Sequence, residues 1–81
     1  MKKTSTQELV TLLEKNATDG YQVSRRHGIL NRTYCVYLRL GSVYLYDVSE
    51  EFTFNIDDGL PQKDFTELYR HTTWYIECAI G

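Results

Sequence analysis

Two cysteines and two histidines have the widest chemical range in this 81-residue chain, so their spacing comes first. Structural zinc sites need close pairs, C-x₂₋₄-C or H-x₃₋₅-H, because one turn must aim two ligands at one ion. Cys35 and Cys78 are 43 positions apart, and His27 and His71 form no close pair either, so no metal site is expected. A nucleophilic thiol would need Cys35 or Cys78 beside a histidine that takes its proton. Both cysteines instead sit in strand-like segments, Cys35 near Tyr37 and Cys78 in an apparent core row, where unpaired Cys behaves as a small hydrophobe. A free, buried thiol pair is the reading, and the cytoplasm the expected compartment. Asp57 and Asp58 fall in a turn-like stretch, where Asp is favoured for bonding its own backbone. No serine stands in a Gly-rich elbow and no Gly-rich phosphate loop is present. The chain is expected to be no enzyme, with no catalytic residue and no cofactor.

What remains is recognition chemistry. Seven tyrosines lift the aromatic share to 14%. Tyr37, Arg39, Tyr44 and Tyr46 fall on one side of a strand pair whose other side is aliphatic, and Tyr75 and Glu77 extend that side from the last strand. Tyr and Arg are the residue types enriched at interface hot spots, since a rigid amphipathic ring gives contact area for little lost entropy. Charge is also segregated. Residues 1–41 hold seven Lys/Arg and three acids, and residues 42–81 hold two against eight. This predicts a basic pole around Arg25, Arg26, His27 and Arg32, and an acidic pole around Asp47, Glu50, Glu51, Asp57 and Asp58. An acidic pole suits a protein with Lys/Arg-lined grooves, where complementary charge raises the on-rate. The net charge of −2 excludes a chain that grips nucleic acid by bulk positive charge.

These side chains need elements to hold them, and 81 residues make one domain, 1–81. Ser5-Thr6-Gln7-Glu8 fits a capping box for a helix running to Asn16, with Leu9, Val10, Leu12 and Leu13 as its stripe. Strands are predicted over Tyr21–Arg26, Thr33–Leu40 and Val43–Val48 by period-2 alternation. Gly41-Ser42 has type II′ hairpin chemistry, which sets Leu40 opposite Val43, Leu38 opposite Leu45, Arg39 opposite Tyr44 and Tyr37 opposite Tyr46. A further strand follows over Phe52–Ile56, stopped by Asp57-Asp58-Gly59. Pro61 opens a second helix whose buried stripe is Phe65, Leu68 and Tyr69, ending near His71. Thr72–Ile80 is the last strand, with Trp74, Ile76, Cys78 and Ile80 on one face. The expected fold is α+β: an antiparallel sheet of four to five strands with two helices packed on one face, in the order α-β-β-β-β-α-β. The polar start after Lys2-Lys3 is unlike a secretory signal, and no apolar run is long enough for a membrane span.

In size, acidity and missing catalytic chemistry the whole chain resembles the small phage-encoded inhibitors of host defence, anti-CRISPR proteins among them. The resemblance implies a compact, non-catalytic protein-binding module that occludes a nuclease or a CRISPR complex subunit. No motif carries the resemblance, so the expected partner-binding residues come from the tyrosine face and the acidic pole: Tyr37, Arg39, Tyr44, Tyr46, Asp47, Glu50, Glu51, Asp57 and Asp58. The alternative is a small nucleic-acid-binding domain that stacks bases on Tyr37, Tyr44 and Tyr46 and holds phosphates near Arg25, Arg26, Arg32 and Arg39. A homodimer through the same face is a third arrangement.

Overall fold

A computed structural model describes residues 2–16, 19–48 and 54–81. The elements are β1 (Lys2–Ser5), α1 (Thr6–Lys15), β2 (Gly20–His27), β3 (Leu30–Arg39), β4 (Ser42–Asp47), β5 (Phe54–Pro61), α2 (Gln62–Leu68) and β6 (Thr73–Ile80). The strands form one six-stranded antiparallel sheet in the order β1-β6-β2-β3-β4-β5. This overturns the expected four to five strands and the helix-first order. The chain opens on a strand, giving β-α-β-β-β-β-α-β. Lys2-Lys3-Thr4-Ser5 carries no apolar alternation that could announce a strand. It is held by pairing with β6, where Thr4, its one buried residue, lies opposite Trp74.

Helix α1 starts on the Ser5 half of the capping box: Ser5 Oγ accepts from the Glu8 amide at 3.2 Å, while the Glu8 carboxylate accepts from the Ser5 hydroxyl. Its buried residues Leu9, Val10 and Leu13 pack with Phe65 of α2 against Val23, Tyr34, Val36, Val43, Leu45 and Trp74 of the sheet. Both helices therefore cover the same side. Thr6 pins them there, since its hydroxyl donates to the Tyr69 carbonyl at 2.5 Å and accepts from Trp74 Nε1 at 2.8 Å. A buried hydroxyl satisfied twice avoids the desolvation penalty of an unmade bond.

Three local expectations fail, each for a backbone reason. The β3–β4 turn is Leu40-Gly41, with φ of 51° and 80°, so both central residues are left-handed as a type I′ turn requires. The register becomes Leu38↔Val43, Tyr37↔Tyr44, Val36↔Leu45 and Cys35↔Tyr46. The shift is two residues, so every side chain keeps its face except Leu40, which becomes a turn residue 97% exposed. In β6, Gln22 pairs with Cys78 while Val23 pairs with Ile76, leaving Glu77 as a bulge. The extra residue flips the end of the strand, so Cys78 is exposed and does not continue the row of Trp74 and Ile76. Finally, Asp57-Asp58-Gly59 does not stop β5, which runs on irregularly to Pro61. Helix α2 ends at Leu68, which is 62% exposed, whereas Phe65 and Tyr69 are buried as the stripe predicts.

Candidate functional site

On β3 the alternation is decisive. Tyr34, Val36 and, less completely, Leu38 turn toward the helices, while Cys35, Tyr37 and Arg39 turn away from them. β4 does the same, burying Val43 and Leu45 and leaving Tyr44 and Tyr46 half-buried on the side without helices. Tyr37, Tyr44 and Tyr46 meet there. Tyr37 stacks on Tyr44 with ring centroids 4.9 Å apart and planes 4° apart, and on Tyr46 at 5.6 Å and 14°. The hydroxyls of Tyr37 and Tyr46 are 2.8 Å apart. Burial, then this hydrogen bond, pushes the Tyr37 phenol up to about 12, with Arg39 pulling weakly the other way. The phenol therefore stays a neutral donor and acceptor at any physiological pH.

Glycines clear the ground for these rings. A Cβ on Gly59 would come within 3.0 Å of the Tyr44 ring, and one on Gly20 would stand 2.5 Å from the Val36 carbonyl and 2.9 Å from the Tyr37 Cβ. Both positions have positive φ, 76° and 152°, which glycine alone adopts freely. Further along the same face, Gln22 lies between Cys35 and Cys78 and donates to Glu77 at 2.9 Å. The thiols are free, and their Cα positions are two strand spacings apart, about 9.5 Å. That exceeds the roughly 7 Å limit between Cα atoms for a disulfide. The expectation of a buried pair is corrected: Cys35 is half-buried and Cys78 exposed. Burial, and then Cys78, raises the Cys35 thiol above its ordinary range, which lowers its reactivity.

Two of the acidic residues expected beside the tyrosines, Asp47 and Asp57, face the covered side instead. Asp47 is buried on the helix side and pairs with Arg32 at 2.9 Å. Asp57 accepts from the Tyr69 hydroxyl, which lies in the covered core. Burial first, then this bond, raises the Tyr69 phenol well above the ordinary range. Asp58 is exposed, and Glu50 and Glu51 lie outside the described residues, as do Phe52 and Thr53 of the expected strand. Of the predicted set, the fold brings together Tyr37, Tyr44 and Tyr46, with exposed Arg39 at the end of β3.

Sequence reasoning placed Arg25 in the basic pole but missed its packing against three aromatic rings. Its guanidinium lies over three rings, 5.2 Å from the Tyr34 centroid and 5.5 Å from those of Tyr69 and Trp74, and its Nε donates to Tyr34 at 3.3 Å. The available signal was the run from Gly20 to Tyr46, which contains four arginines and no Asp or Glu. Among the described residues, no group of three His, Cys, Asp or Glu could hold a metal ion, and no helix is long and apolar enough to cross a membrane. No family model, curated protein or solved structure matches the chain.

Proposed function

We propose that the protein is a non-catalytic protein-binding module that docks its partner on the open face of the sheet through Tyr37, Tyr44, Tyr46 and Arg39. The observation that carries this reading is the tyrosine ladder, three half-buried rings on a sheet face that neither helix covers. Tyr37 stacks on both Tyr44 and Tyr46, which leaves fewer ring faces for bases and favours a protein surface over base stacking. An aromatic patch held rigid in this way gives contact area without ordering cost. Arg39 and the acid-free run around it suit a partner patch that carries carboxylates. Occlusion of a nuclease or a CRISPR complex subunit is the proposed mode of action; it rests on size, acidity and missing catalytic chemistry, and not on the charge of this face.

The test compares two double variants in capture of a partner from cell extract. Tyr44→Ala with Tyr46→Ala should lose the captured protein while keeping the native circular dichroism spectrum. Lys63→Ala with Thr66→Ala, on α2, should retain it. Equal capture by both variants, or unfolding of the first, would end the reading. A doubled mass in solution that the first variant abolishes would make the partner a second copy of the chain.

A further inference from the structure

Strands β2 and β6 pair only as far as Ser24↔Tyr75, after which β2 continues with β3 alone, Arg25 opposite Arg32 and Arg26 opposite Asn31. Where the two strands diverge, a cleft of about 410 Å³ opens, lined by Arg25, Arg26, His71, Thr72, Thr73 and Tyr75. Every one of these side chains can donate a hydrogen bond, and none is a carboxylate. The groove between the helices differs in kind, because it sets Glu14 and Glu67 beside Lys63. Two stretches of sequence produce the contrast. Neither 20–46 nor 68–76 contains an Asp or Glu, and the fold lays one against the other.

Arg25 is the fixed point of the cleft. Three ring faces and one N–H bond to Tyr34 hold its guanidinium, half-buried, and no carboxylate among the described residues forms an ion pair with it. A planar fork already held in place loses little freedom when it meets an oxyanion. Arg26, next along the strand, projects from the opposite side and is exposed. On the far wall, His71 Nε2 accepts from Arg70 Nε at 3.2 Å, and Arg70 is held in turn by Glu67 at 2.6 Å. The carboxylate nearest in this chain of bonds is thus two side chains removed from the lining.

We propose that this cleft is a binding site for a phosphate group, clamped by the guanidinium groups of Arg25 and Arg26 and by the hydroxyls of Thr72 and Thr73. Forked guanidinium donors match the geometry of phosphate oxygens, and charge-assisted bonds of this kind are the strong ones. The site is independent of the tyrosine ladder.

The test follows arginine Nε–H and Thr72 and Thr73 amide resonances of the full chain during titration with pyrophosphate, and separately with a single-stranded oligonucleotide of mixed sequence, at constant ionic strength. Saturable shifts confined to the cleft are expected, in the millimolar range for pyrophosphate. Arg26→Ala should weaken binding about tenfold, the loss of one charge-assisted bond. Lys15→Ala, an exposed cation at the end of α1, should leave it unchanged. Arg25→Lys keeps the charge without the fork and should also weaken binding, which covers the case of an Arg25→Ala variant that does not fold. Tighter binding of the oligonucleotide at the same resonances identifies a nucleic-acid strand as the source of the phosphate. Response to pyrophosphate alone identifies a free phosphate compound. Shifts that chloride reproduces at matched ionic strength, or unaltered affinity in Arg26→Ala, overturn the proposal.

Discussion

Tyr34 and Tyr37 are three residues apart on one strand and do opposite things. Tyr34 is 1% exposed, meets Trp74 edge-on with centroids 6.0 Å apart, and shares Arg25 with it. Tyr37 stands half-buried on the uncovered side, stacked on two other tyrosines. The covered face uses aromatic rings as filling, with each polar atom tied inward: Tyr69 to Asp57, Trp74 to Thr6. The open face uses the same residue type as a surface. Residue type alone does not separate core from surface in this sheet; the parity of the position along the strand does.

That contrast can be broken or sharpened. The largest effect belongs to Trp74→Ala, which empties the centre of the covered face and should cost about 3–5 kcal/mol. Thermal denaturation would register it as a fall of roughly 4–8 °C per kcal/mol in a domain of this size. Tyr44→Ala should cost only about 1 kcal/mol, the worth of a stacked cross-strand pair. If the two variants melt alike, the faces are not different in kind.

Alkali should act on both faces through the two raised phenols. Tyr37 titrates near 10 in the unfolded chain and at about 12 when folded, so its contribution is intact below pH 10 and lost as pH climbs through 12. Tyr69 is raised in the same direction. The urea midpoint should therefore fall across this range, and Tyr37→Phe with Tyr69→Phe should flatten the fall. A midpoint that does not change with alkali would contradict the hydrogen bonds assigned to these phenols.

Leu40→Asn is expected to stabilise the protein by roughly 1 kcal/mol, because leucine is strained at φ 51° and asparagine tolerates it. Denaturant unfolding measures this directly. The smallest effect is at the β2–β3 turn, where Ile29 is 93% exposed and Ile29→Ser should shift stability by no more than about 0.5 kcal/mol.

The sequence made the faces of β3 and β4 legible, because alternation of aliphatic and aromatic residues survives a two-residue error in register. The turn itself was less legible. Leu40-Gly41 needs a leucine in a left-handed conformation, and local preference argues for glycine to come first. The bulge at Glu77 left no mark in the pattern, so Cys78 and Ile80 looked like a continuation of the core row. β1 was invisible for the reason already seen in its residues: long-range pairing stabilises it, not its own composition. The tyrosine part of the candidate site followed from alternation alone. The acidic part did not, because charge counted along a chain does not say which carboxylates the fold will consume, as it consumes Asp47 and Asp57.

The contact between the start of α1 and β6 also sets an order of events in time. Thr6 and Trp74, joined by a hydrogen bond, are 68 positions apart in the chain. Contacts of such sequence distance must close a large loop before they repay its entropy, which slows the search for the native state. A nascent chain on the ribosome would lack a finished core until β6 emerged, and the aromatic residues of its earlier strands would stay open to aggregation in that interval.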